Sequence, residues 1–170
     1  MDLKPGSFAA DVGSGDSPDH PQRISKAIGP SGKLVCEDID PSALRKLEAK
    51  LKAGGISNVE FVAGAPDDPR LPAHTFDAIL ISNAYHEFTD HRAMLHHLRE
   101  ALKTGGKLVV VEAISDRLRD KSREEQAKAH ELAPEKLKAE LEAAGFRQLN
   151  MIVLRHAEAT TRYLVSAQPE

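Results

Sequence analysis

Only one cysteine, Cys36, occurs in 170 residues. That excludes an internal disulfide framework and a cysteine-rich zinc module. Long apolar runs are missing as well: the longest are a few residues, far short of the ~20 that a membrane-spanning helix needs. The opening Met1-Asp2-Leu3-Lys4-Pro5-Gly6 has no apolar stretch of the kind a secretory signal carries. A soluble, cytoplasmic protein with no membrane partner is expected. Positive charge is not in excess, since 23 Lys and Arg face 26 Asp and Glu for a net charge of −3. No basic, aromatic-lined groove is evident either, which disfavours nucleic acid as a partner. What is present is an ordinary apolar fraction of 41%, which excludes bulk disorder, in a length that suits a single domain over 1–170.

Short apolar runs alternate with longer amphipathic ones. Strands are expected at Ser7–Val12, Lys33–Asp38, Val59–Ala63, Phe76–Ser82 and Lys107–Glu112, and several are apolar on both faces. Helical spacing links Ile24, Ala27 and Ile28, then Leu44, Leu47 and Leu51 behind an Asp40-Pro41 cap, then Met94, Leu95, Leu98 and Ala101 behind Asp90. Alternation of this kind predicts a doubly wound α/β fold with a mostly parallel sheet covered on both faces. Two final strands, Phe146–Leu154 and Thr161–Ala167, lie too close in sequence for a crossover helix and should pair antiparallel. The charged stretch at 115–133 reads as an exposed helix or as a flap over a site.

The sharpest motif is Asp11-Val12-Gly13-Ser14-Gly15-Asp16-Ser17, at the end of the first strand. Glycines there allow a ligand to approach the backbone where strand turns into helix, and Asp38, at the end of the second strand, can accept hydrogen bonds from a ribose. This fits a dinucleotide or another adenosine-containing cofactor. Asp11 favours the latter, because a carboxylate at that place suits a ligand with a positive group nearby.

With these residues the chain resembles the class I S-adenosylmethionine-dependent methyltransferases, especially the small bacterial enzymes related to the ubiquinone/menaquinone methyltransferase group. Further segments share the likeness: Glu37-Asp38-Ile39-Asp40-Pro41, Gly64–Pro72, Phe76–Phe88, Leu102–Leu108 and Ala143–Phe146. The resemblance implies a Rossmann-like, three-layer α/β/α fold with a seven-stranded sheet and a C-terminal antiparallel hairpin. It also implies methyl transfer from S-adenosylmethionine to a small-molecule acceptor, with S-adenosylhomocysteine as product. In that pattern Asp11 faces the methionine portion, Gly13 and Gly15 give it room, and Asp38 grips the ribose. Ile39 packs on the adenine, Asp67 or Asp68 reads its amino group, and Asn83 presents its carbonyl to the ammonium.

His86, after the fourth strand, is the candidate catalytic base for an acceptor that must lose a proton. Tyr85 and Glu87 are weaker candidates for the pocket wall. No metal site is expected: His91, His96 and His97 do not form His-Glu-x-x-His, and His130-Glu131 is an isolated pair. Ser17 stands where the family has a third glycine, and the first strand begins within about ten residues of Met1, where relatives carry covering helices. The expectation is that the 115–132 segment or a second subunit in a homodimer replaces that cover. The alternative is a protein that binds the cofactor with little turnover. A nicotinamide-dependent oxidoreductase is disfavoured by Asp11 and by the final hairpin.

Overall fold

Seven strands form one sheet in the order β3-β2-β1-β4-β5-β7-β6. The computed structural model describes all 170 residues. Strands β1 (Phe8–Val12), β2 (Lys33–Asp38), β3 (Val59–Ala63), β4 (Phe76–Ser82) and β5 (Leu102–Ser115) run parallel. Strand β7 (Thr160–Pro169) enters antiparallel between β5 and β6 (Phe146–Ala157). The expected doubly wound sheet with its C-terminal hairpin is therefore what forms. Glu158 and Ala159, both at positive φ, close that hairpin in a two-residue turn whose twist matches the strands.

Alternation along each strand sorts apolar side chains into two cores. Ala9, Leu34, Cys36, Leu80, Val109 and Val111 face α1 (Asp19–Ile28) and α2 (Pro41–Ala53). Ala10, Val12, Val35, Ile79, Ile81, Leu108 and Val110 face α3 (His91–Ala101) and α5 (Pro134–Ala143). This is why the strands read as continuous apolar runs: both pleat directions are buried. Leu44, Leu47 and Leu51 of α2, and Leu95, Leu98 and Ala101 of α3, are buried on the faces their spacing marks out. Asp40 accepts the Ser42 N–H at 2.8 Å and Asp90 accepts the Ala93 N–H at 3.0 Å, so both helices start at the expected caps.

Two expectations change. Asp16-Ser17-Pro18-Asp19-His20-Pro21, with its two prolines, predicts a helix that starts late, near Pro21, but helix α1 begins at Asp19, after Pro18. Pro21 then sits in the first turn, where backbone N–H groups have no intrahelical acceptor to lose. The charged stretch at 115–133 contains the expected exposed helix, but only as a short piece within an ordered turn. It folds as a 3₁₀ turn (Asp116–Leu118) and a short helix α4 (Arg123–Lys128) around the fully buried polar side chain of Gln126. The Gln126 amide donates to the carbonyls of Leu118, Arg119 and Lys121 at 2.8, 3.0 and 3.3 Å. Its Oε1 accepts the Ala133 N–H at 3.0 Å. A Ser122–Glu125 capping box closes the start of α4. Most of its charges lie at the surface while Gln126 ties the turn together, although Arg123 Nη2 is buried without a hydrogen-bond partner. No helix is long and apolar enough to cross a membrane.

Candidate active site

The carboxyl ends of the parallel strands meet where strand order reverses, between β1 and β4. Ligands of open α/β sheets bind at this point. A cavity of about 470 Å³ opens there. Its wall includes Gly13 and Gly15 after β1, Glu37, Asp38 and Ile39 at the end of β2, Ala65 and Pro66 after β3, and Asn83 and Glu87 after β4. Phe88 and Met94 supply apolar surface.

The glycine loop has a steric reason for its composition. Gly13 lies at φ +68, and a Cβ on it would come within 2.5 Å of the Ala84 Cβ. Gly15, at φ +57, donates its N–H to Asp38 Oδ2 at 2.8 Å. The other Asp38 oxygen accepts the Asp40 N–H at 2.9 Å. Asp38 thus pins the loop to the start of α2 while each of its oxygens keeps a further lone pair for a ligand hydroxyl. Ile39, 61% exposed, stands on the rim as an apolar surface without a protein partner.

Beneath the loop lies Glu37, 2% exposed. Its Oε2 faces the Gly13 N–H at 3.4 Å and its Oε1 has no hydrogen-bond partner. A Cβ on Gly64 would collide with that carboxyl. Burial pushes its pKa up to about 8 against the Gly13 hydrogen bond, with Asp38, Asp68 and Asp11 adding to the rise. Asp11, 3% exposed, is pushed up to about 7 by burial and then by the Asp38 charge. Asp11 borders an adjoining cavity of about 210 Å³, which shares Gly13 and Asn83 with the first and adds Ser14, Ser17, His20 and Ser82. A cationic group entering there would restore the ionised form of Asp11. Asn83 sits at φ +53, its N–H donating to the Val111 carbonyl at 2.9 Å. Asp67 and Asp68 are on the loop after β3 but not in the cavity wall, which Ala65 and Pro66 form instead. Asp68 is occupied locally, its Oδ1 accepting the Arg70 N–H at 2.7 Å.

Across the cavity the construction changes. His86 lies in a 3₁₀ turn, Tyr85–Glu87, is 3% exposed and is not part of the cavity wall, which its neighbour Glu87 reaches. Its Nδ1 is 2.9 Å from Glu112 Oε2, and its backbone N–H donates to Glu112 Oε1 at 3.1 Å. Glu112, on β5, is fully buried. Ionised, its carboxylate can only accept, so Nδ1 carries the proton and Nε2 is the nitrogen available for chemistry. Burial works to lower the His86 pKa, but the Glu112 hydrogen bond and charge outweigh it and hold it above the ordinary value. Tyr85 belongs to the core, its hydroxyl donating to Glu140 Oε2 at 2.8 Å. Glu87 does reach the cavity wall. His130, isolated in the sequence, is brought beside it: His130 Nδ1 is 3.4 Å from Glu87 Oε1.

Glu37, His20, Glu112 and the placement of His130 were not foreseen from the sequence. Glu112 did carry a signal, as an acid closing an apolar strand at the same sheet edge as Asp38.

A model of the ubiE/COQ5 methyltransferase family matches residues 1–150. The chain belongs to this family. It is 37% identical over 100 residues to a ubiquinone/menaquinone biosynthesis C-methyltransferase UbiE of Cronobacter sakazakii, covering 58% of this chain and 40% of that protein. It is 32% identical over 112 residues to a demethylmenaquinone methyltransferase of Bacillus cytotoxicus, covering 66% of this chain and 47% of that one. The chain thus spans less than half the length of these curated relatives. In fold it is similar to a SAM-dependent methyltransferase from Aquifex aeolicus, with a TM-score of 0.81 and 24% identity over 97% of this chain and 83% of that one. The methyltransferase fold read from the motifs is the fold this chain has.

Proposed function

We propose that the chain is an S-adenosylmethionine-dependent methyltransferase acting on a small-molecule acceptor. The observation that carries this is the clamp of Asp38 on the glycine loop in the wall of one cavity, a wall that also includes Glu87, the neighbour in sequence of the buried His86 held by Glu112. The residues fit the cofactor. Gly13 and Gly15 leave its passage open, Asp38 keeps lone pairs for the ribose hydroxyls, and Ile39 offers a face to the adenine. Asp11 and Asn83 border the adjoining space that suits the methionine portion, and Asp67 and Asp68 follow Ala65 and Pro66 of the wall on the loop after β3. When bound, the cofactor supplies a methyl group on a positively charged sulfur, which needs no further activation.

The chain's own task is then alignment, which can contribute about 7–11 kcal/mol when the geometry is good. His86 is the proposed catalytic residue, acting through Nε2 on the proton of a protic acceptor. Glu112 positions it by fixing the tautomer. The relatives' names point to carbon as the methylated atom. The exposed row Met151, Ile152, Val153 and Leu154 on edge strand β6 supports pairing with a second copy there.

The test is release of S-adenosylhomocysteine from S-adenosylmethionine with a panel of phenolic and quinol acceptors. Turnover above the acceptor-free rate is expected. Binding without turnover on any acceptor would leave a cofactor-binding protein.

A further inference from the structure

The group formed by His86, Glu87 and His130 has a use that neither the fold nor the cofactor cavity requires. One ligand atom from each lies within 4.8 Å of the others. His86 Nε2 is 3.7 Å from Glu87 Oε1, and His130 Nδ1 is 3.4 Å from that same oxygen. A tetrahedral zinc ion with bonds of ~2.0–2.2 Å spaces its donor atoms by about 3.3 Å. Small side-chain rotations close the difference. We propose that His86, Glu87 and His130 hold a divalent transition-metal ion, zinc by the chemistry of the donor set, at the mouth of the cofactor cavity. The ion's open position takes an oxygen of the acceptor.

Two features show a built arrangement. A metal-binding histidine characteristically gives its other ring nitrogen to a carboxylate, which fixes the ring and raises its basicity. Glu112 does this to His86 from a fully buried position. His130 is presented by backbone that is anchored on both sides. Gln126 holds the turn before it. After it, Glu131 Oε2 accepts the Ser115 N–H and hydroxyl at 2.6 and 2.7 Å, and the Leu132 N–H donates to the Ala113 carbonyl at 3.0 Å. His130 itself sits at φ +57, a left-handed conformation that histidine adopts more readily than most residues. The rings of His86 and His130 meet edge-on, at 80° with centroids 5.4 Å apart. His91 is apart from the group, its Nε2 lying 3.8 Å from Glu140.

Glu87 belongs to the cavity wall, which puts the ion site beside the space where an acceptor would arrive. The suited acceptor carries an ionisable hydroxyl, as a phenol or enol does. A bound ion would supply Lewis acidity there, lowering the pKa of an acceptor hydroxyl as zinc lowers that of bound water to ~7, so that its proton would leave to water. With the ion bound, His86 Nε2 would be a ligand, and the ion would take over the deprotonation assigned above to His86 alone. This acceptor part rests on the methyl-transfer reading, whereas the ion site stands without it.

The test uses the whole chain, stripped with a chelator and titrated with Zn²⁺ by calorimetry and with Co²⁺ by visible absorption. One equivalent should bind, with the absorption of a low-coordinate cobalt site. Asparagine tolerates positive φ, so His130→Asn keeps the backbone, and it should weaken Zn²⁺ binding at least tenfold. Glu112→Gln, which alters only the partner of His86, should weaken it about 10- to 100-fold. A His96→Asn, His97→Asn double variant should bind as the wild type does. No saturable binding, or binding that His130→Asn and Glu87→Gln leave unchanged, would overturn the site. S-adenosylhomocysteine titrated into the same samples separates the two ideas. Its binding without Zn²⁺ binding removes only the ion, while its failure to bind removes the methyl-transfer reading.

Discussion

The two sides of the cavity are built by different means. Toward β1 and β2 the wall is backbone: glycines at positive φ, N–H groups gathered by Asp38, and acids one or two residues apart. Toward β4 it is side chains, Glu87, Phe88 and Met94, with residues 86, 112 and 130, which share no local motif, gathered beside Glu87. A backbone-lined site suits a ligand that is always the same, because its shape is fixed by the turn itself. A side-chain site can be changed one residue at a time, which suits the part that selects an acceptor and handles its proton. The two sides should therefore fail differently when altered.

The largest effect is expected at His86. His86→Gln should lower turnover about 10²- to 10⁴-fold, the usual contribution of a group that handles a proton, and leave S-adenosylhomocysteine affinity within a factor of two. Steady-state rates with calorimetry check both halves of that statement, and a matching loss of affinity would merge the two sides into one. Asp38→Ala should do the opposite. Losing the charge-assisted bonds to the ribose costs about 3 kcal/mol, or roughly a hundredfold in affinity, and any residual turnover should recover at saturating cofactor.

Gln126→Leu tests whether the 115–133 segment is held as the structure shows. It removes four hydrogen bonds in a buried setting, and a loss of about 2–4 kcal/mol in folding stability is expected. Acceptor turnover should suffer more than cofactor binding, because His130 depends on this turn. Unfolding in urea gives the first number and calorimetry the second.

The smallest effect concerns pH. Glu37 and Asp11 have folded-state pKa values of about 8 and about 7, above the ordinary carboxylate range, because burial penalises their charged forms. Between about pH 4 and about pH 8 the folded chain holds protons that the unfolded chain has lost. Stability therefore falls as pH rises through that window. Glu37→Gln, still facing the Gly13 N–H, Asp11, Asp38 and Asp68, should flatten the decline in urea midpoint between pH 5 and pH 8. An equally steep decline would mean that Glu37 stays ionised when buried.

Legibility in the sequence divides along the same line. Strands, helix faces and the caps Asp40 and Asp90 follow from local spacing, since alternation and 3.6-residue periodicity are written within a few residues. Gly13, Gly15, Asp38 and Ile39 were readable for the same reason: the loop and the strand end that carry them are each one short motif. Glu112 and His130 were not, because what matters is where β5 and the 115–133 segment place them relative to His86, and sequence distance hides it. The charged stretch misled for a related reason. Counting charges describes its surface, whereas one buried glutamine decides its shape. Asp67 and Asp68 lie on the expected loop, but the turn aims Ala65 and Pro66 at the cavity.

The most direct measurement is calorimetric titration of the wild-type chain, Asp38→Ala and His86→Gln with S-adenosylhomocysteine. Saturable one-to-one binding in the wild type and His86→Gln, lost or weakened about a hundredfold in Asp38→Ala, is the predicted result. Wild-type affinity retained in Asp38→Ala, or no binding in any of the three, would contradict the assignment of this cavity to the cofactor.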